Sequence, residues 1–277
     1  MVVKEIPYFD LSEICDSGQC FRMERITENE FQIRAEDKYL RATQEGETVR
    51  FDCSEEEFET FWKHYFDLER DYGIYIEAID PEDTYLKTAA ELGSGIRILN
   101  QDLWEMIVSF LISQQNNIFR IRKCIDRISR RYGEEKRAAD GTVYHAFPTA
   151  EALSQATEEE LRDCNLGYRA KYVRDTALRV ASGEVDLAVI RKMTYPEARE
   201  ELLKLYGVGV KVADCICLFA LHQLQAFPVD THIRQVLDRQ YSDGFPRERY
   251  QGIEGVMQQY IFYYDLHAKD RIGQAPN

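Results

Sequence analysis

Three things are scarce or missing in this sequence, and each narrows the field. No run of about 18 successive apolar residues occurs, so no membrane-spanning helix is expected. No CxxC pair occurs among the seven cysteines (Cys15, Cys20, Cys53, Cys124, Cys164, Cys215 and Cys217), which argues against a zinc site and favours buried reduced thiols. The opening MVVKEIPYFDL has neither a signal-like apolar core nor an Arg-rich transit character, so a cytoplasmic protein is expected. Excess positive charge is also missing. Lys and Arg number 35 against 49 Asp and Glu, a net charge of −14, which speaks against an enzyme of nucleic acid.

That imbalance is local. Residues 1–100 hold 24 acidic and 11 basic side chains, whereas 101–277 hold 25 and 24. Between Phe119 and Arg137 the bases Arg120, Arg122, Lys123, Arg127, Arg130, Arg131, Lys136 and Arg137 outnumber the acids. Such a face suffices to hold phosphates, although a run of charge is as readily a solvated helix face.

The pattern of apolar residues changes along the chain. Up to about residue 54 it alternates, with strand-like runs at 21–26, 31–34, 39–42 and 49–51 separated by polar turns. Ser54 and Glu57 have the spacing of a capping box for a helix running to Tyr65. From Pro81 onward the period is helical, predicting helices at 83–92, 102–114, 117–132, 149–156, 158–164, 169–182, 195–206, 210–222, 231–240 and 252–268. Strands followed by helices make this an α+β protein. We expect an N-terminal antiparallel sheet domain over 1–80 and a mostly helical core of two subdomains over 81–277.

One stretch is chemically odd. Residues 197–206 are amphipathic, Gly207-Val208-Gly209 breaks the helix, and 210–222 are apolar nearly all round except Lys211 and Asp214. The two glycines permit positive φ and a close backbone approach. Lys211 sits in the first turn of its helix, where the dipole disfavours a cation, and desolvation favours the neutral, nucleophilic amine. Nineteen residues on, Asp230 stands at an N-cap position after Pro228. On local pattern alone, a snorkelling lysine and a capping aspartate explain both.

The segment Leu205-Tyr206-Gly207-Val208-Gly209-Val210-Lys211-Val212-Ala213-Asp214-Cys215, followed by Pro228-Val229-Asp230, resembles the helix-hairpin-helix, Gly/Pro-rich, Asp motif of the HhH-GPD DNA glycosylases. KVADCICL and PVDTHI are similar to the 8-oxoguanine branch. Further segments agree in the same order: Ser17-Gly18-Gln19-Cys20-Phe21-Arg22, Ser113 to Arg120, Asn165 to Tyr172 and Gly255 to Phe262. No cysteine follows Asp230, unlike the branches that carry a four-cysteine iron–sulfur loop. Met23 stands where the branch usually has tryptophan, and Gln115 where it has asparagine.

The resemblance implies a bifunctional N-glycosylase and abasic-site lyase acting on 8-oxoguanine in double-stranded DNA. Lys211 would be the nucleophile and Asp230 the stabilising carboxylate. Gly18, Cys215, Gln258 and Phe262 would bind the base. Gln115, Asn116, Arg120, Tyr168, Arg169, Gly207, Gly209 and His232 would contact DNA. Considered alone, Gly18 is a turn glycine, Cys215 an inert core thiol, Phe262 and Tyr172 core aromatics, and His232 a surface histidine. No cofactor is required, no catalytic metal is expected, and one structural cation at the hairpin backbone is allowed. A monomer without membrane attachment is expected, at the nucleoid in a bacterium or in the nucleus in a eukaryote. The alternatives are a glycosylase for another lesion such as an alkylated purine, which would not need Lys211, and a non-catalytic hairpin DNA-binding module, which would need neither Lys211 nor Asp230.

Overall fold

The computed structural model describes the backbone of residues 1–272 and the side chains of residues 1–267. Five strands, β1 Val2–Glu5, β2 Met23–Arg25, β3 Glu30–Ala35, β4 Lys38–Glu45 and β5 Thr48–Phe51, form an antiparallel sheet in the order β1-β5-β4-β3-β2. Alternation drives it: Phe31, Ile33 and Ala35 of β3, Leu40 and Ala42 of β4 and Val49 and Phe51 of β5 are buried on one face. That face packs on Phe58, Trp62, Tyr65 and Phe66, with the Phe51 and Phe58 rings 5.0 Å apart. Leu99 also joins this cluster, so the chain returns to the sheet after its first helix of the helical part.

The helical part forms a second, larger apolar cluster around Leu103–Ser113, whose residues from Leu103 to Ile112 are all buried. The final helix, Glu254–Ile272, packs against Thr84–Leu92 and Thr231–Gln240. Two polar devices join sheet and helices. Arg22 and Glu105 form an ion pair at 3.0 Å with both side chains nearly dry. Arg97 donates to the carbonyls of Pro7, Tyr8, Asp67 and Arg70 and lies 4.6 Å over the Tyr72 ring, so its buried charge is well partnered.

Several expected elements are corrected by the structure. Ser54 does cap, accepting from the Glu57 amide, but the Glu57 carboxylate takes the Trp62 indole N–H at 2.8 Å rather than completing a box. The stretch 55–65 also contains a π-turn at Phe58–Trp62. The strand expected at 21–26 shortens to Met23–Arg25, the helix at 195–206 ends at Leu203, and that at 210–222 ends at Phe219. The helix expected at 169–182 begins after a 3-10 turn, Gly167–Arg169. Edge strand β1, the helix Leu11–Asp16 and a small hairpin pairing Glu135–Arg137 with Val143–His145 were not legible in the pattern.

Candidate active site and nucleic-acid interface

Asp214 holds the hairpin together. It is buried on the second hairpin helix, Val210–Phe219, and accepts from Arg199 Nε at 2.7 Å and Tyr195 Oη at 2.9 Å on the first, Tyr195–Leu203. Between these helices Gly207 has φ +87°, and an added Cβ would lie 2.5 Å from the Tyr172 ring, so both backbone freedom and close approach demand glycine. Gly209 differs from expectation. Its backbone is extended (φ −99°, ψ 177°), it serves as N-cap, and a Cβ there would meet open space.

This turn delivers Lys211, half-buried, to one end of a narrow pocket of about 40 Å³. Its walls are Gly18, Phe110, Lys211, Cys215, Phe219, Pro228, Asp230, Gln258, Gln259 and Phe262. Lys211 Nζ lies 5.5 Å from the Phe110 ring centroid. Burial pushes the Cys215 thiol up to about 11, against the opposing charge and hydrogen bond of Lys211. It therefore stays protonated near neutrality. Asp230 caps Thr231–Gln240, its carboxylate accepting from Ile233 N at 2.9 Å.

Gly18 comes from the far end of the sequence. It has φ +75°, and a Cβ would sit 3.0 Å from Phe262 Cε1. Its neighbour Gln19 is fully buried and pins the turn: Nε2 donates to Ser17 Oγ and Arg97 O at 2.9 Å, Oε1 accepts from Leu99 N, and its carbonyl takes Gln101 Nε2. Reasoning on sequence named the glycine but missed this anchor. It also missed Phe110, Phe219 and Gln259, which look like ordinary core positions in a helical pattern.

Outside the pocket lies an exposed aromatic and basic surface. Gln115, with φ +47°, and Asn116 occupy the turn before Ile118–Tyr132, whose N-cap is Asn117. Arg169 donates to the carbonyl of Gln114 from Nε at 2.7 Å and to that of Gln115 from Nη2 at 2.9 Å. Tyr168 is 39% exposed, large for an aromatic side chain, and begins a ladder in which Tyr168, Tyr172 and Tyr206 meet edge to face at 5.8 and 4.8 Å. Arg120, Lys123 and Arg127 are exposed and form no ion pair with any described residue, which leaves their charge free. His232 Nδ1 is 3.3 Å from Asp265 Oδ2, and its ring stands edge-on to Phe262.

A cleft of about 670 Å³ lies elsewhere, near the small hairpin, and carries Glu36, Asp37, Asp102, Glu134 and Glu151 on its walls. That density of carboxylates repels a polyanion. In the small pocket an amine and a carboxylate from two different helices, Lys211 and Asp230, converge between the aromatic walls Phe110, Phe219 and Phe262.

Residues 1–107 match the N-terminal domain of 8-oxoguanine DNA glycosylases, and residues 108–251 match the HhH-GPD superfamily of base excision DNA repair proteins. The chain belongs to this 8-oxoguanine DNA glycosylase family. An N-glycosylase/DNA lyase of Saccharomyces cerevisiae is 34% identical to it over 258 residues, covering 83% of this chain and 68% of the yeast protein. The 8-oxoguanine glycosylase/lyase of Clostridium acetobutylicum, solved with double-stranded DNA containing cytosine opposite 8-oxoG, is 38% identical, with a TM-score of 0.90 over 97% of this chain and 95% of that one. A 3-methyladenine DNA glycosylase of Archaeoglobus fulgidus shares the fold of this glycosylase, at 22% identity and a TM-score of 0.77.

Proposed function

We propose that this 8-oxoguanine DNA glycosylase extrudes the damaged base from duplex DNA into the pocket at Lys211, cleaves its glycosidic bond and then opens the strand as a lyase. One observation supports it above the others. Gly18, Lys211, Cys215, Asp230, Gln258 and Phe262, drawn from four separated stretches of chain, line a single pocket.

The chemistry follows from those groups. The neutral Lys211 amine attacks C1′ while the C1′–N9 bond breaks and its electron pair leaves with the base. Positive charge that develops on the sugar is stabilised by the Asp230 carboxylate. Loss of the amine proton and opening of the ring at O4′ give a Schiff base. Removal of a C2′ proton then expels the 3′ phosphate by β-elimination. The protonated Cys215 thiol and the Phe262 ring would lie on the two faces of the base, with Gln258 at its edge. The Gly18 carbonyl accepts from N7–H, a donor that guanine lacks, so guanine would leave a buried acceptor unpaired at a cost of about 1–3 kcal/mol. A pocket this small is closed, and the base enters by displacing Phe262 from Gly18.

On the DNA surface, Gln115 and Asn116 fill the gap left by the extruded nucleotide and Tyr168 wedges beside it. Arg120 reads the orphaned cytosine, and Arg169, buried with its guanidinium on the carbonyls of Gln114 and Gln115, joins it by releasing one of them. The open backbone at Gly209, with that of Gly207 in the same turn and His232, meets phosphates. No cofactor enters the mechanism. The Gly207 carbonyl accepts from Gln114 Nε2 at 3.0 Å, which occupies one of its two lone pairs, and no step runs through a cation at the hairpin. We place the boundary of the N-terminal domain near residue 80 and the enzyme, as a monomer, wherever its DNA is kept. Among the described residues no helix is long and apolar enough to cross a membrane.

The test is a duplex carrying one 8-oxoguanine opposite cytosine, followed for released base and for the β-elimination product. Release of alkylated purines with 8-oxoguanine left in place would overturn the reading.

A further inference from the structure

Among the described residues, nine buried side-chain polar atoms have no hydrogen-bond partner, and Gln259 alone of their owners lines the base pocket. Its side chain is in effect dry, at 3% exposure. Nε2 donates to Gln258 Oε1 at 3.2 Å, and Oε1 meets nothing. The Gln258 amide nitrogen in turn bonds to no described residue. An orphan buried acceptor is costly, and natural structures tolerate few of them.

Two amides joined by one hydrogen bond leave one free donor and one free acceptor. In the orientation that the structure shows, the free acceptor is on Gln259 and the free donor on Gln258. The edge of a guanine-type base is complementary to such a pair, with O6 as acceptor and N1–H and the 2-amino group as donors. Gln258 alone has one amide for three groups. Adding Gln259 supplies a second acceptor that the folded protein itself leaves unsatisfied.

We propose that Gln259 is a second specificity-determining residue, accepting a hydrogen bond from the exocyclic 2-amino group of the extruded base while Gln258 serves the rest of that edge. This rests on the function proposed above and adds to it the part of the base that is read. A base without that donor leaves the acceptor buried and unpaired, which is how polar pockets reject near-isosteres.

The experiment compares single-turnover excision of 8-oxoguanine with that of 8-oxohypoxanthine, the same base without its 2-amino group, each opposite cytosine. Wild-type enzyme is expected to favour the aminated base by roughly tenfold. Gln259→Met keeps the chain length and Gln259→Ala removes it. Both are expected to bring the two rates within about twofold of each other, by slowing the 8-oxoguanine reaction. Either variant keeping the wild-type ratio, or slowing both bases equally, overturns the proposal. Thermal unfolding gives an independent reading. Gln259→Met removes the orphan acceptor but also the Nε2 bond to Gln258, so the two changes offset and the Tm should stay within about 5 °C of wild type; a larger fall would mean that Oε1 is held by protein and the proposal is wrong. If wild-type enzyme excised no 8-oxoguanine, the function itself would fall; normal excision with an unchanged ratio would remove only the role of Gln259.

Discussion

Arg169 reaches back 54 residues to hold the carbonyl of Gln115 at 2.9 Å, and that carbonyl belongs to a residue in the left-handed region at φ +47°. The guanidinium also covers the Tyr168 ring at 4.5 Å. One side chain therefore ties together the turn at Gln115, Tyr168 and the surface proposed to read the orphaned cytosine. We expect excision to favour cytosine opposite the lesion. Arg169→Lys, which cannot fork to two carbonyls, is expected to reduce that preference by about five- to tenfold and to lower the Tm by a few degrees. Rates measured against all four opposite bases check this, and equal wild-type rates would contradict it.

Gly18→Ala combines two penalties, a left-handed backbone and a Cβ 3.0 Å from Phe262. The backbone alone costs about 1–2 kcal/mol. Excision of 8-oxoguanine should fall at least tenfold while affinity for undamaged duplex holds. Equal loss of both would place Gly18 outside the base pocket.

The Cys215 thiol, raised to about 11 by burial, has a sign that can be tested. Its stabilising contribution is complete below the unfolded value of 9.0 and fades as pH rises through about 11, because the unfolded chain ionises first. Cys215→Ala should therefore flatten the loss of stability between pH 9 and 11. At pH 8 the native thiol should resist iodoacetamide, as mass spectrometry would show.

Asp230 has two duties that substitution separates. Asp230→Asn keeps an oxygen for the Ile233 amide, so folding should be normal, while the charge facing the sugar is lost and excision should slow by about 10²–10³. Asp230→Ala should additionally cost about 0.5–2 kcal/mol of stability. An Asp230→Asn enzyme of wild-type rate would remove the carboxylate from the mechanism.

What could be read from the sequence follows from where the signal is local. The sheet alternation, the buried helix after Gly209 and the capping Asp230 are all written in short windows, and the structure contains them. The small hairpin escaped because its first strand, Glu135–Arg137, is wholly charged and has no apolar face to alternate. The π-turn at Phe58–Trp62 escaped because an extra residue in a helical turn leaves the composition unchanged. In the site, Lys211 stood out as a charge in an apolar helix. Phe110, Phe219 and Gln259 did not, because their approach to Gly18 depends on contacts between stretches more than ninety residues apart. Gln19 looked like turn filler, and only the return of residues 97–101 to the N-terminal turn shows that it is an anchor.

The central claim is that Lys211 is the nucleophile. Sodium borohydride reduces a Schiff base to a stable covalent link, so wild-type enzyme mixed with a duplex containing 8-oxoguanine should give a cross-linked species on a denaturing gel. Lys211→Gln keeps roughly the length and polarity, should bind the same duplex, and should give neither cross-link nor released base. A Lys211→Gln enzyme that cross-links at the wild-type level would mean that another amine attacks C1′, and the account would be wrong.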